Sequence, residues 1–217
     1  MDWELLATLT DDERRTLLSQ TIRRRFRRGE VVFHEQDPGD SMHLIAQGHV
    51  AVRRTTPLGD EATLLILGPG EYFGELVLLS KDARRNATVI ALENTETLTI
   101  GRDGLNELRA RHPDVDRFLL AALADEVRRL STLLSEALYV PVDKRVLRRL
   151  LEVATKYGGQ ANGTVIPLTQ EDLAGLAGTS RPSANKVVRA AEEAGLLRVG
   201  RAEIEILDLD GLRHRAR

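Results

Sequence analysis

The 217 residues are 42% hydrophobic and 29% charged, a balance typical of globular rather than disordered proteins. The absence of cysteine excludes disulfides, thiolate metal sites and thiol redox sensing, and none of the five histidines has a second histidine at metal-binding spacing. No apolar run approaches the roughly 18 residues that span a bilayer, and the acidic start is unlike a signal peptide, so we expect a cytoplasmic protein without membrane contact or bound metal.

Charge is distributed unevenly along the chain. The net charge is −2, but 13 basic residues outnumber 9 acidic residues from Lys144 onward. A positive segment on an otherwise acidic protein is typical of local contact with nucleic acid. Solvated surface charge would explain it equally well.

The first predicted elements are a helical lead-in and a series of short strands. Residues 3–18 predict a short helix with Thr10 as its candidate N-cap. From residue 21 to residue 100, turns that contain glycine, such as residues 57–60, separate short apolar runs. The predicted strands are residues 31–33, 42–45, 50–52, 63–67, 88–90 and 97–100. Many short strands at this spacing favour an antiparallel roll or small barrel.

A backbone turn, a carboxylate and an arginine occur close together within this strand-rich region. The two runs that carry them are Phe73-Gly74-Glu75-Leu76 and Arg85-Asn86-Ala87. Glu75 can accept hydrogen bonds from a sugar hydroxyl, and Arg85 can form a bidentate pair with a phosphate. Amides around Gly74 and at Asn86 and Ala87 can complete an anion-binding nest. The combination predicts a small ligand that carries both a ribose and a phosphate.

A long helix is predicted from near Pro113 to Pro141, where proline ends the helix and marks a hinge. Apolar residues on it are spaced by three and four, the heptad pattern of two supercoiled helices. This dimer seam consists of Leu120, Leu123, Val127, Leu130, Leu134 and Ala137. At about 1.5 Å per residue the seam is some 25 Å long, which suffices for a homodimer. The alternative is an amphipathic helix packed on its own roll.

Beyond the hinge, a helix over residues 144–157 precedes a helix-turn-helix and a wing. Thr169 followed by Asp172 predicts the start of one helix. Gly178 predicts a tight turn, and Ser180 predicts the cap of a second helix that continues to about residue 194. The second helix of such a motif normally enters the DNA major groove with its N-terminus first.

Side chains that can contact DNA cluster at the start of the first of these helices, on the leading turns of the second and at the wing tip in residues 197–206. They are Thr169, Gln170, Ser180, Arg181, Ser183, Asn185, Lys186 and Arg201. Cap, turn, basic leading face and wing occur in order. We therefore expect the C-terminal segment to bind double-stranded DNA.

Taken together, these motifs resemble the cyclic-AMP receptor protein and fumarate–nitrate regulator (CRP/FNR) superfamily of bacterial transcription factors. The resemblance runs from Arg28-Gly29-Glu30 through Gly70-Glu71-Tyr72-Phe73-Gly74-Glu75-Leu76 to Thr179-Ser180-Arg181. It implies an α+β fold: an antiparallel β-roll sensor of cyclic-nucleotide-binding type (residues 1–110), a dimerisation helix and hinge (111–140), and a winged helix-turn-helix (141–217). It also implies a homodimer on a two-fold symmetric DNA operator, with RNA polymerase as a further candidate partner.

The resemblance further implies a cyclic-nucleotide effector, with cAMP as the first candidate, and no cofactor or catalytic residue. Gly74 and Glu75 match the family's ribose-contacting pair, and Arg85 matches its phosphate-binding arginine. The implied pocket consists of Phe73, Gly74, Glu75, Leu76, Arg85, Asn86, Ala87, Leu130 and Ser131.

Several pocket residues depart from the family pattern. Asn86 replaces a serine or threonine that donates to the cyclic phosphate, and Leu130 replaces a threonine that meets the purine amino group. Glu126 replaces an arginine one turn before Leu130, whereas Ser131 keeps the position that reaches the neighbouring subunit's pocket. We therefore expect an intact phosphate side and an altered base side.

The winged helix-turn-helix of residues 141–217, called the reader below, departs from the family at two positions. Arg181 matches the arginine that contacts guanine, but Pro182 replaces a glutamate that accepts a hydrogen bond from a base, and Lys186 replaces a second arginine. We expect relaxed readout at the base pair that faces Pro182.

Three hypotheses remain at this point. The first is a ligand-controlled DNA-binding regulator. The second keeps the fold but makes it a constitutive DNA binder with a vestigial or differently specific pocket. The third is a metal-dependent cupin-type enzyme, which His34, His43 and His49 do not support because they lack the spacing of a metal site.

Overall fold

The computed structural model describes residues 3, 6–7, 9–56, 59, 61–79, 83–159 and 161–217. The chain divides into two compact units, the first comprising Met1–Val50 and Leu67–Ser131 and the second comprising Ala51–Ile66 and Thr132–Arg217. In chain order the elements are α1 (Asp11–Ser19), β1 (Ile22–Phe26), β2 (Val31–Phe33), β3 (Ser41–Gln47), β4 (Val50–Thr55), β5 (Glu61–Leu67), β6 (Tyr72–Phe73), α2 (Leu76–Leu79), β7 (Thr88–Ala91), β8 (Thr95–Gly101), α3 (Arg102–Arg111), α4 (Pro113–Tyr139), α5 (Val142–Lys156), β9 (Val165–Ile166), α6 (Gln170–Leu176), α7 (Arg181–Glu193), β10 (Leu197–Gly200), β11 (Glu203–Ile206) and α8 (Leu209–Arg215).

The six predicted strands, together with β1 and β6, which were not predicted, form two four-stranded sheets, with the orders β1-β8-β3-β6 and β2-β7-β4-β5. β8 pairs antiparallel with β1 and β3, β3 pairs antiparallel with β6, and β2 pairs antiparallel with β7. The expectation of an antiparallel, cyclic-nucleotide-binding type of β domain is confirmed, and each predicted strand has its counterpart. Of the turn predicted at residues 57–60, Pro57, Leu58 and Asp60 lie outside the described residues.

Apolar side chains that alternate along β3 and β8 build the core of the first unit. Met42 and Leu44 of β3 are fully buried, and Ile100 of β8 lies in the same cluster. Leu105 of α3 and Val115 of α4 close the cluster. This core fixes the sheet from which the loops of the candidate pocket extend.

The predicted helical lead-in over residues 3–18 is wrong in its bounds. The helix begins only at Asp11, because Thr10 caps it: Thr10 Oγ1 accepts from the Glu13 amide, and the Glu13 carboxylate accepts from the Thr10 amide. Trp3 instead lies buried and donates from Nε1 to the Ile45 carbonyl at 3.0 Å. Burial of the indole against the sheet outweighs continuation of the helix. Glu4, Leu5 and Thr8 of the lead-in lie outside the described residues.

Helix α4 is continuous over 27 residues, as predicted. Val115 and Leu119 are its buried residues. The seam residues lie exposed, with Leu120 67%, Val127 62% and Leu134 62% accessible. No helix within the described residues is long and apolar enough to cross a membrane.

The second unit contains the predicted helix-turn-helix and wing. Thr169 and Asp172 form a capping box at the start of α6, and Ser180 Oγ accepts from the Ser183 amide at the start of α7. The wing strands β10 and β11 pair antiparallel with each other, and β9 pairs antiparallel with β11 as the third strand of this sheet. The sequence pattern did not reveal β9 or α8 here, or β1, β6, α2 and α3 in the first unit.

Candidate functional site

Backbone hydrogen bonds hold Arg85 against the loop that follows β2. The Arg85 amide donates to the Asp37 carbonyl at 2.8 Å, and the Gln36 amide donates to the Arg85 carbonyl at 2.8 Å. Gly39 donates to the Ala83 carbonyl in the same loop pair. The arginine is therefore fixed at its Cα, three residues before β7 begins.

The Arg85 side chain points inward and is only 5% exposed. Its Nη1 donates to the Gly74 carbonyl at 3.1 Å and its Nη2 to Ser41 Oγ at 3.3 Å. The Nε–H is buried and has no hydrogen-bond partner within the described residues. Burial lowers the pKa of the guanidinium, while the carboxylates of Asp40, Glu75 and Asp37 act in the opposite direction.

Two glycines make room for this guanidinium. A Cβ on Gly39 would lie 2.5 Å from Arg85 Nε, and a Cβ on Gly74 would lie 2.6 Å from Nη1. Gly74 also has a φ of +84°, which side-chain-bearing residues rarely adopt. The glycine in the predicted Phe73–Leu76 run is thus required both for the turn and for the approach of Arg85.

An aromatic group lies behind the arginine. The Arg85 guanidinium carbon sits 4.1 Å from the centre of the Phe33 ring. Phe33 contacts Phe73, with ring centres 5.8 Å apart, and His43 stacks on Phe73 at 4.9 Å with an interplanar angle of 4°. Burial, with repulsion from Arg85 and Arg24, lowers the pKa of His43 to about 3. The imidazole is therefore neutral at physiological pH.

Glu75 lies close to Arg85 at the start of α2. Burial raises the pKa of its carboxyl and repulsion from Glu126 adds to the rise, whereas its own backbone N–H and the Arg85 charge oppose it. The structure thus brings together the carboxylate and the arginine that the sequence analysis singled out. The carboxylate is one that would gain from new hydrogen-bond donors.

The predicted pocket residues on α4, and Glu126 beside them, differ in their hydrogen bonds and exposure. Glu126 accepts two hydrogen bonds from Arg129, both at 2.7 Å. Leu130 is 50% exposed, and Ser131 Oγ donates to the Val127 carbonyl of its own helix at 2.9 Å. Arg129 was not identified from the sequence, although its place three residues after Glu126 is a spacing at which helical ion pairs form.

The remaining pocket residues divide by exposure. Phe73 and Ala87 are buried, at 4% each. Leu76 and Asn86 are exposed, so the Asn86 amide side chain is accessible to a ligand.

The reader presents most of its predicted DNA-contacting side chains to solvent. Arg181 and Lys186 on α7 and Arg201 at the wing tip are exposed. So are Thr169 and Ser180, whose side chains cap α6 and α7, while Gln170 and Ser183 are half-buried. Asn185 differs, because its Oδ1 is buried and lacks a hydrogen-bond partner among the described residues. Its helical position, one turn after Arg181, did not reveal that orientation.

A buried carboxylate organises the start of the reader. Asp172 is 2% exposed, and its Oδ2 accepts from the Thr169 hydroxyl at 2.5 Å. Its Oδ1 accepts from Arg53 Nη2 and from Thr63 Oγ1, both at 2.8 Å. A Cβ on Gly175 would lie 2.5 Å from the Thr63 amide, so α6 and the segment Ala51–Ile66 pack closely within the second unit.

A second buried side chain, Arg145 on α5, joins the end of α4 to the helix-turn-helix. Its Nη1 donates to the Ala137 carbonyl at 2.8 Å and its Nη2 to the Gly178 carbonyl at 3.4 Å. Arginine is exposed in most helices, and no local pattern in the sequence predicted this one to be buried.

Two parts of the chain match known domain families. Residues 23–112 match the cyclic nucleotide-binding domain, and residues 144–215 match the Crp-like helix-turn-helix domain. A cyclic nucleotide-binding domain followed by a Crp-like helix-turn-helix domain defines a class of protein, the two-domain transcriptional regulators.

Full-length relatives narrow that class. The "CRP-like cAMP-activated global transcriptional regulator" of Mycobacterium tuberculosis is 34% identical over 195 residues, covering 88% of this chain and 87% of that protein. The "Cyclic AMP receptor protein" of Thermus thermophilus is 35% identical over 198 residues, covering 91% and 89%. The chain belongs to the CRP family of transcriptional regulators.

Solved structures agree with this assignment. The Thermus thermophilus catabolite activator protein is 34% identical, with a TM-score of 0.57 and coverage of 98% of this chain and 97% of that one. FixK2 from Bradyrhizobium japonicum, at 18% identity and a TM-score of 0.75, covers 91% and 98% and shares the fold. Because CRP-family proteins are regulators and not enzymes, the cupin-type enzyme hypothesis is set aside.

Proposed function

We propose that this regulator is a homodimer that binds a two-fold symmetric DNA operator, under the control of a cyclic nucleotide such as cAMP bound at Glu75 and Arg85. The observation that carries the proposal is the buried Arg85 guanidinium, whose Nε–H has no hydrogen-bond partner in the part of the chain that the structure describes. A buried donor without a partner is costly. An anionic ligand offsets that cost, and charge-assisted hydrogen bonds to phosphate are strong.

Glu75 supports the ribose half of the proposal. Its carboxylate is desolvated, and ribose hydroxyls would supply the missing donors. The names of the Mycobacterium tuberculosis and Thermus thermophilus relatives both refer to cAMP. We extend that effector to this chain as the first candidate.

The exposed apolar seam on α4 supports dimerisation. Leu120, Val127 and Leu134 are each more than 60% exposed in the single chain. Apolar residues at heptad spacing are normally covered by a second helix. A second copy of this chain would cover them, and the two readers would then meet half-sites about one helical turn, some 34 Å, apart.

A different base preference is the second candidate, because two residues of α4 near the site differ from the family pattern. Glu126 lies close enough to help raise the pKa of Glu75 and is paired with Arg129, and the Leu130 side chain offers no hydrogen bond. A changed charge at Glu126 and a lost hydrogen bond at Leu130 can each change which base is accepted. This favours testing cGMP beside cAMP.

Isothermal titration of the dimer with cAMP and with cGMP tests the effector site. We expect micromolar or tighter binding of one nucleotide, and a loss of about 100-fold or more in Arg85→Ala, since an ionic hydrogen-bond pair contributes about 3 kcal/mol. Arg84→Ala is the matched control, because Arg84 is exposed and donates to the Gln36 carbonyl. Equal affinities of Arg85→Ala and the wild type would place the effector elsewhere.

Selection of bound DNA sequences tests the reader. Arg181→Ala should lose about 1–3 kcal/mol of discrimination at one base pair of each half-site, whereas Arg189→Ala, later on the same helix, should keep the wild-type preference. The base pair that faces Pro182 should tolerate substitution. Full stringency at that pair would contradict the assigned role of Pro182.

A further inference from the structure

The face of the Arg85 guanidinium is covered by an aromatic ring. The guanidinium carbon lies 4.1 Å from the centre of the Phe33 ring, within the range of a cation–π contact. Phe33 ends β2 and pairs with Val89 of β7, the strand that follows Arg85. The strand pairing therefore places Phe33 beside the strand that Arg85 precedes.

The Phe33 ring is itself packed against two aromatic neighbours that carry no charge. Phe73 lies 5.8 Å away and His43 lies 6.0 Å away, both tilted. His43 Nδ1 is hydrogen-bonded to Thr97 Oγ1 at 3.0 Å, which anchors the imidazole to β8. A neutral imidazole in this place adds no second positive charge beside Arg85.

The edges of the guanidinium are confined as well. Gly39 and Gly74 leave no room for a Cβ, while the Gly74 carbonyl and Ser41 Oγ accept its Nη hydrogens. With one face on Phe33 and two edges on backbone and hydroxyl acceptors, the plane of the guanidinium is held in one orientation. A single orientation lowers the entropy cost of binding an anion.

We propose that Phe33 is a positioning residue for the effector site, holding the Arg85 guanidinium in a fixed plane and partly replacing its hydration before the anionic group arrives. The inference rests on the proposed role of Arg85 as the anion-binding group. A purely structural role would require only apolar volume at position 33, which leucine also supplies. A positioning role requires the face of an aromatic ring, which leucine cannot offer to the guanidinium, so substitutions at position 33 distinguish the positioning role from the structural one.

Titration of the protein with cAMP compares three variants with the wild type. Phe33→Leu should weaken cAMP binding about fivefold, the size of an ordinary cation–π contact, and Phe33→Tyr should retain nearly the wild-type affinity. Phe118→Leu is the control, since Phe118 packs near Tyr72 with ring centres 6.0 Å apart and takes no part in the Arg85 site. Unchanged affinity in Phe33→Leu, or equal losses in Phe33→Leu and Phe33→Tyr, would overturn the inference.

A denaturation double-mutant cycle on the ligand-free protein decides the matter independently of cAMP. It uses Phe33→Leu, Arg85→Ala and the double variant. Coupled effects on stability are expected, because residues in contact are not additive, and additive effects would overturn the inference. If the wild type binds neither cAMP nor cGMP, the proposed effector fails, while this cycle still decides whether Phe33 holds Arg85.

Discussion

Asp172 in the second unit is a buried carboxylate and Glu75 in the first is a half-buried one, and their surroundings differ. Asp172 accepts hydrogen bonds from Thr169, Arg53 and Thr63, through both of its oxygens. Among the described residues, Glu75 has its own backbone N–H and the more distant charge of Arg85 in its favour, while burial and Glu126 oppose its ionisation.

The Asp172 carboxylate therefore serves to stabilise the structure, whereas the Glu75 carboxylate is available to a ligand. A carboxylate whose oxygens are already occupied stabilises the fold and has little to offer a ligand. A desolvated carboxylate with few donors costs stability, and that cost is relieved when a ligand supplies hydroxyl groups. The sugar-binding role was proposed for the latter.

The largest expected effect is on the satisfied carboxylate. Asp172→Ala should lower the free energy of unfolding by about 3 kcal/mol, because it leaves the buried Thr63 hydroxyl and the half-buried Arg53 guanidinium without this acceptor and removes the cap between Asp172 and Thr169. Chemical denaturation measures the change. Glu171 is an exposed acid in the same helical turn, so Glu171→Ala controls for the helix dipole. It should change the free energy of unfolding by only a few tenths of a kcal/mol. Equal effects of the two substitutions would remove the distinction.

A buried base next to the Glu75 and Arg85 pocket gives the second prediction. The pKa of His43 is lowered from 6.5 to about 3, so the unfolded chain binds more protons than the folded protein between these values. The free energy of unfolding should therefore fall as pH drops below about 6.5, at up to about 1.4 kcal/mol per pH unit. At pH 4.5 the loss due to this residue is roughly 2–3 kcal/mol.

His43→Phe keeps a ring on Phe73 but cannot titrate, so the difference between its pH–stability curve and that of the wild type isolates His43. The difference should vanish above about pH 7 apart from a constant offset. Replacement of the exposed His214 by phenylalanine should leave the slope unchanged. Parallel curves for the wild type and His43→Phe would show that the buried imidazole is not held neutral.

The smallest expected effect concerns Glu75. A carboxyl whose pKa is raised by folding opposes folding when ionised, so its contribution to stability falls as pH rises from the ordinary value of 4.5 to the raised one. At neutral pH, Glu75→Gln should stabilise the ligand-free protein by on the order of 1 kcal/mol and weaken nucleotide binding. Glu107→Gln, an exposed acid paired with Arg111, is the control. Destabilisation by Glu75→Gln would show that the Glu75 carboxylate stabilises the fold, as the Asp172 carboxylate does, and would contradict the contrast between them.

Local signals predicted much of the fold. The caps at Thr10, Thr169 and Ser180 involve residues only three apart, so a short stretch of sequence contains the whole interaction. Strands were predicted because alternating apolar residues and glycine turns repeat over a few positions. The helix start at residue 3 failed because burial of Trp3 depends on Ile45, which is 42 residues away.

The candidate site divides in the same way. Glu75 and Arg85 are ten residues apart and occur in recognisable runs, so the sequence by itself determined the effector and reader motifs and, through them, the family. Only the tertiary structure decided that Phe33 covers Arg85, that Asn185 Oδ1 is buried, and that Asp172 accepts from Arg53, 119 residues away. Capping and periodicity are properties of neighbouring residues, whereas burial and ion pairing depend on which distant segments the folded core brings together.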